Sequence, residues 1–336
     1  MKQPLCLLVV LLAALPSRAA EPAAQVMTLA SVAPQDSPWS ALLTKFEQNV
    51  EKRAPGKIDV RLKLGGVLGD EIEMVTKCRR GQIQAVGAST GALASLVPEL
   101  NVVELPFLFR STAEADHVID NVLTNPLGES FRKAGLILGF WGENGFRHFA
   151  TRDAPIKMPQ DLRGKKMRSQ ESPVHLGMYK ALGASPMPLP ITEVPQALAT
   201  GNVDGFDQST IYMIAASWTK SVKFVTLSEH IYQPAAIAFN REWFDALPKE
   251  LQTILIEEGR SLQGKGREAV RKIAPDLVEI LKSQGIAVHT PSTEERRAFE
   301  EATRKVQDDL VKLQGDRTKK LLNETRTALA KMRGGS

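Results

Sequence analysis

The sequence predicts an α/β fold of roughly two domains, with strands and covering helices alternating along most of the chain. Short apolar runs ending at Gly or Pro recur between stretches of helical periodicity. The chain has 336 residues, enough for each domain to bury a core. With 43% hydrophobic and 24% charged residues, its composition sets aside collagen-like, disulfide-scaffold and disordered classes. The net charge of +5 is spread without a long Lys or Arg run, unlike the basic footprint of a nucleic-acid protein.

The first twenty residues stand apart from the fold. Met1-Lys2, the apolar run Leu5 to Leu15 and Pro16-Ser17-Arg18-Ala19-Ala20 read as a secretory signal peptide, residues 1–19, cut after Ala19. The run is shorter than the ~20 residues a membrane span needs. Cys6 lies inside it rather than at its end, where a lipid-anchored cysteine would sit. Removing the leader leaves Cys78 without an intrachain partner, so an exported chain must rely on its core.

The first strand is Gln25 to Val32. Ser37 can cap the helix that follows, with Pro38 in its first turn and Trp39, Leu42, Leu43, Phe46 and Val50 on one face. Ile58 to Leu64 alternates as a half-buried strand does and ends at Gly65-Gly66. Asp70 starts a helix holding Ile72, Met74, Val75 and Cys78. A strand at Ile83 to Gly87 and a helix at Gly91 to Leu96 come next. Val102 to Phe109 is an apolar stretch around Pro106, and Thr112 opens a helical stretch through Val122. Leu136 to Trp141 is a buried strand. The alternation then repeats: strands near Lys166–Arg168, Met187–Pro190 and Val203–Phe206, helices at Ser172–Leu182 and Thr192–Thr200. Such alternation points to mostly parallel pairing, whose ligands sit beyond the strands' carboxyl ends.

Ser292-Thr293-Glu294-Glu295 marks the start of a tail helix, carrying Phe299, Ala302, Val306, Leu310 and Leu313 as a core stripe. The basic end, Arg317 to Arg333, reads as a solvated face. Asn323-Glu324-Thr325 matches a glycosylation sequon, set in a helical pattern.

There is no Walker loop, no GxGxxG after a strand and no HExxH. The five histidines lack ligand spacing, so neither metal nor cofactor is expected. Gly87-Ala88-Ser89-Thr90-Gly91 matches the GxSxG nucleophile elbow. One reading is a secreted serine hydrolase using Ser89, with Asp204 and His230 as acid and base. The preferred one is a turn at a strand end whose hydroxyls and N–H groups face a ligand, because no oxyanion-hole segment precedes it. Arg147, between Phe146 and Phe149, and Arg168, beside the inward-looking Met167, are strand-end guanidiniums in apolar surroundings. Such a group calls for an anion, and its planar fork matches a carboxylate.

Several stretches in order give the mature chain a family resemblance. They are Gly65-Gly66-Val67-Leu68-Gly69-Asp70-Glu71, Val97-Pro98-Glu99-Leu100 and Glu104-Leu105-Pro106-Phe107-Leu108-Phe109. Gly145-Phe146-Arg147, Leu162-Arg163-Gly164-Lys165-Lys166-Met167-Arg168 and Gly183-Ala184-Ser185-Pro186 continue the series. Glu193 and Ala197 through Gly205 complete it. Together they resemble the DctP-like solute-binding proteins of tripartite ATP-independent periplasmic (TRAP) transporters.

The resemblance implies a two-lobed, type II-like periplasmic binding protein with mixed sheets flanked by helices and a hinge between lobes. One lobe is expected from 25–146 plus 234–275, the other from 147–233 plus 276–330. The expected function is non-enzymatic: capturing a small carboxylate between the lobes and delivering it to the membrane permease subunits. The receptor would be periplasmic, a monomer or a dimer. Arg168 is expected to pair with the ligand's carboxylate and Arg147 to assist it. Glu71, Ser89 and Gly91 would line the first lobe's face, with Trp39 and Tyr212 as aromatic walls. Where the family usually continues Gln-Glu-Asn-Pro, this chain has Phe206-Asp207-Gln208-Ser209. Gln208 sets its amide further out, and Tyr212 and Trp218 add aromatic surface. A ligand unlike the small dicarboxylates, with an apolar part, is therefore expected.

Overall fold

The computed structural model describes residues 23–334, so the expected signal peptide lies outside the described residues. The first half runs β1 (Gln25–Ser31), α1 (Pro38–Arg53), β2 (Ile58–Lys63), α2 (Glu71–Arg79), β3 (Ala85–Ser89) and the single turn α3 (Thr90–Leu93). A 3₁₀ segment (Pro98–Glu104), α4 (Thr112–Val118), a π turn (Ile119–Leu123) and α5 (Thr124–Lys133) lead to β4 (Leu136–Thr151). Next come β5 (Lys166–Ser169), α6 (Pro173–Ala181), β6 (Ser185–Pro188), α7 (Val194–Thr200), β7 (Gly205–Gln208) and α8 (Thr210–Ala215). The chain continues through β8 (Phe224–Asn240), α9 (Arg241–Ala246), α10 (Lys249–Ser283) and β9 (Ala287–His289). It ends with α11 (Thr293–Thr303), α12 (Lys305–Gln314) and α13 (Asp316–Met332).

Local chemistry sets the helix starts. Ser37 and Ser40 form a capping box with Pro38 behind it, and Ser292 and Glu295 form another, satisfying orphan N–H groups at both starts. Asp70 caps α2.

The strands form one sheet in the order β2-β1-β3-β8-β4-β7-β5-β6, with β9 beside β8. Pairing is mixed rather than mostly parallel. β1, β2 and β3 pair parallel, as do β5, β6 and β7. β8 and β4 run antiparallel to each other and to β3 and β7 respectively. The strand expected to end at Trp141 continues to Thr151. Gly142 and Gly145 interrupt the apolar pattern there without ending the ladder, which shifts register between Glu143 and Gly145 and again between Arg147 and Phe149.

These two long strands traverse both halves of the sheet. At one end Phe46, Phe140, Phe239 and Leu255 belong to one buried cluster under α1, α9 and α10. At the other, Phe149, Met167, Tyr179 and Phe299 belong to a second under α6 and α11. Gly259 of α10 lies so close to Phe140 that an added Cβ would collide with the ring. Gly259→Ala is therefore expected to destabilise the fold by about 1–3 kcal/mol through overpacking, read as a lower midpoint in urea at unchanged slope.

Three shorter expectations change. The helix expected at Gly91–Leu96 is the turn α3, and the stretch around Pro106 is a 3₁₀ segment followed by loop. The tail is three helices, broken at Arg304 and Gly315, and Leu313 is 68% exposed rather than core. Its basic end is no solvated face. Leu321, Leu322 and Leu329 are buried, Arg317 bridges to Glu99 at 2.7 Å and Arg333 to Glu114 at 2.7 Å. The sequon falls inside α13, with Thr325 fully buried. α12 packs on α6, whereas α13 packs on the 3₁₀ segment, α4 and the π turn.

Candidate functional site

The carboxyl ends of β3, β5 and β7 face the middle of β4 and β8, and a cavity of about 70 Å³ opens between them. Of the residues singled out in the sequence, Arg168, Arg147, Gln208, Glu71, Ser89, Trp39 and Tyr212 line this one cavity. Gly91 does not. A Cβ there would come within 2.9 Å of the Gln170 amide, so Gly91 makes room for Gln170, which does line the cavity.

Several contacts cross the cavity's rim and join its two sides. Gln170 donates to Ser89 Oγ at 2.8 Å, and the Ile191 N–H donates to Asp70 Oδ1 at 2.7 Å. The Trp39 and Tyr212 rings meet with centroids 5.9 Å apart. Trp39 is fixed in turn by its indole N–H on the Glu143 carbonyl, 2.7 Å away.

Arg147 differs from expectation. Its Nε donates to Asp207 Oδ2 at 2.5 Å, Nη2 donates to the Asp207 carbonyl, and Nη1 reaches Gln208 Oε1 at 3.0 Å and Gln233 Oε1 at 2.7 Å. The guanidinium is thus committed to the protein, and its charge is answered by Asp207. Burial alone would raise the Asp207 carboxyl, but Arg147, with bonds from His175 and His230, holds it well below the usual range. Tyr179 also donates to Asp207, at 2.8 Å. His175 bonds Glu104 at 2.6 Å, and Glu104 accepts from Thr90 and from Gln233. Arg147 therefore positions Gln208 and Gln233, and most of its fork is spent on the protein, although it also lines the cavity.

Arg168 is the opposite case. It is 2% exposed and lies over the Trp218 ring, 5.7 Å from its centroid. Nε and Nη2 both donate to the single carbonyl of Leu189, at 3.1 and 2.8 Å. Among the described residues Nη1 has no hydrogen-bond partner and the group has no carboxylate within salt-bridge distance. Burial, then the nearby Arg147 charge, lowers its affinity for its proton. A guanidinium nevertheless stays charged in a protein, so the cavity holds a buried cation awaiting an anion.

Glu71 accepts from the Ser89 N–H at 2.8 Å and the Ser89 hydroxyl at 2.9 Å. Burial pushes its carboxyl up to about 7, against the pull of those bonds. Ser89 is not a hydrolase nucleophile. Its hydroxyl is taken by Glu71 and Gln170, while His230 lies on Ser228 and Asp207, and Asp204 accepts from the Lys166 N–H. Among the described residues no His, Cys, Asp and Glu cluster could hold a metal, and no helix is long and apolar enough to cross a membrane.

The family model for bacterial extracellular solute-binding proteins, family 7 (DctP), matches residues 29–313. The chain belongs to this family. A solute-binding protein of Verminephrobacter eiseniae is 34% identical over 254 residues, 76% of each chain. The 2,3-diketo-L-gulonate-binding periplasmic protein YiaO of Escherichia coli is 31% identical, over 80% of this chain and 81% of its own. The sugar acid binding protein DctPAm of Advenella mimigardefordensis, crystallised with galactonate, superposes with a TM-score of 0.87 at 28% identity. That comparison covers 92% of this chain and all of the other. The family 7 protein is thus a TRAP-type solute receptor with a two-lobed α/β fold, and not an enzyme.

Gln170, Gln233 and Asn144, which also line the cavity, escaped the sequence reading. Gln170 lies two residues after Arg168, directly beyond β5, a position that strand's own motif could have flagged. Asn144 and Gln233 carried no signal.

Proposed function

We propose that this receptor takes a small organic acid into the cavity, its carboxylate on Arg168, and passes it to the permease subunits of a TRAP transporter. One observation carries the reading: Arg168 is buried, charged and without a carboxylate partner among the described residues. Removing such a group from water is costly unless it is paired, and a ligand carboxylate supplies the pair. The names of its relatives agree, since 2,3-diketo-L-gulonate and galactonate are both sugar acids.

The lobes we assign are 25–146 plus 234–275 and 147–233 plus 276–330, hinged on β4 and β8. The register shift at Glu143–Gly145 supports a bend there, as bulges let paired strands flex. α13 returns to pack on the first lobe's helices. Export to the periplasm by residues 1–19 completes the assignment, in line with a family of extracellular binding proteins.

The test is a thermal-shift panel of organic acids, amino acids and sugar acids. At a hundredfold its dissociation constant a ligand adds about 2.7 kcal/mol, which raises the midpoint by roughly 5 °C. A response only to ligands lacking a carboxylate would refute the reading.

Glu71 adds a pH dependence. Its carboxyl, pushed up to about 7, is mostly neutral at pH 6 and mostly ionised at pH 8. Ionised, it places a second anion in the ligand's cavity. Carboxylate affinity is therefore expected to fall several-fold from pH 6 to pH 8 by calorimetry, and the Glu71-dependent part to vanish in Glu71→Gln. An equal slope in both proteins would remove Glu71 from that role.

A further inference from the structure

The cavity's walls are uneven in polarity. Around Arg168 the polar groups are largely spent on one another. Gln233 donates to Glu104 at 3.1 Å and to Gln170 Oε1 at 2.7 Å, and accepts from Arg147. Gln170 donates to Ser89, whose hydroxyl donates to Glu71. Beyond Arg168, the polar atoms without a partner among the described residues are the Gln208 amide nitrogen, Asn144 Oδ1 and the Tyr212 hydroxyl. Much of the remaining lining is apolar: Val32, Leu42, Leu43, Phe140, Ala236 and Ile237. Among the described residues, Arg147 and Arg168 are the only basic ones lining the cavity, and Arg147 is already neutralised by Asp207.

From this asymmetry we infer that the ligand is a monocarboxylic acid with a short aliphatic body, rather than a dicarboxylate or a polyhydroxy acid. The inference rests on the organic-acid reading above and narrows it. A second carboxylate would lie against hydrocarbon, or beside Glu71, with no cation to meet it, and an unpaired buried ion is the costliest arrangement available. A hydroxyl away from those three polar atoms would face hydrocarbon, and each one left unsatisfied weakens binding. An aliphatic body loses nothing at that wall and gains from leaving water. Size agrees, since a cavity of about 70 Å³, where one water needs about 10–15 Å³, suits a small ligand.

Calorimetry on the mature protein with three acids of equal non-hydrogen atom count tests this: 3-methylbutanoate, malonate and glycerate. 3-Methylbutanoate is expected to bind at least about tenfold more tightly than either of the others. Val32→Thr, which adds a hydroxyl to the wall at almost constant volume, is expected to weaken 3-methylbutanoate about fivefold while leaving the melting midpoint near its original value. Malonate or glycerate binding as tightly as 3-methylbutanoate, lost in Arg168→Ala, would overturn the aliphatic class and leave the organic-acid reading standing. An unchanged 3-methylbutanoate affinity in folded Val32→Thr would remove the wall's role and with it the inference. Binding by none of the three, nor by any other carboxylate, would overturn both readings.

Discussion

Arg168→Ala is expected to abolish carboxylate binding while leaving the protein folded. Breaking a buried ion pair by removing one partner costs about 3–5 kcal/mol, and each 1.4 kcal/mol is tenfold. The loss in affinity is therefore roughly a hundredfold to several thousandfold. The fold survives because Arg168 supports little of it: its bonds go to one carbonyl, Leu189, and its face rests on Trp218. The variant also removes a buried charge that lacks a carboxylate partner, which offsets those lost contacts. Calorimetry gives the affinity and a thermal scan the fold. Unchanged affinity in a folded variant would refute the role given to Arg168.

Arg147→Ala should do the reverse, damaging the fold first. The change leaves Asp207, fully buried, without its guanidinium, and takes one donor each from the side-chain oxygens of Gln208 and Gln233. The same 3–5 kcal/mol scale applies, which for a chain of this size lowers the melting midpoint by roughly 6–10 °C. The sequence reading, in which Arg147 assists the ligand and its loss only weakens binding, does not anticipate this. pH sharpens the test. A carboxylate held below its unfolded range contributes stability that is complete above the unfolded value and lost as pH falls through the folded one. Asp207 is such a group, so wild type should lose its advantage over Arg147→Ala as the solution is acidified below about pH 4. A midpoint within about 2 °C of wild type at neutral pH would leave Arg147 without its structural role.

The two arginines show what the sequence could and could not disclose. Arg168, Glu71, Ser89 and Gln208 belong to motifs whose order is readable along the chain, and all reach the cavity. Arg147 was found for the same reason, but its partner was not, because the bond depends on antiparallel pairing of β4 with β7. That register sets Phe149 opposite Asp207 and His148 opposite Gln208, and no local pattern announces a pairing across about sixty residues. Gln170 and Gln233 are uncharged and aperiodic, so they stand out only once the fold brings them together. Much the same holds for the fold. Capped helices and Gly-ended strands in the first two hundred residues were legible, whereas β8 holds Pro234 and α10 holds Gly259, Gly264, Gly266 and Pro275, breakers that mask both elements. α10 even continues through Pro275, a residue that ordinarily ends a helix. Gly91 matched a motif position yet serves only to clear space for Gln170, a reminder that a match gives the position and packing gives the role.

Asn144 and Arg147 stand on β4 and Gln233 on β8, beside the same register shifts that let this ribbon bend. On the lobes proposed above, side chains that line the cavity are thus mounted on the ribbon that would bend as the lobes part. Changes in that ribbon would alter grip and opening together. Changes at Val32, Leu42 or Leu43, on the β1–α1 connection and α1, would reshape what fits while leaving the ribbon alone. On that proposal, new cargo preferences are most readily acquired from that side, away from the ribbon that would bend.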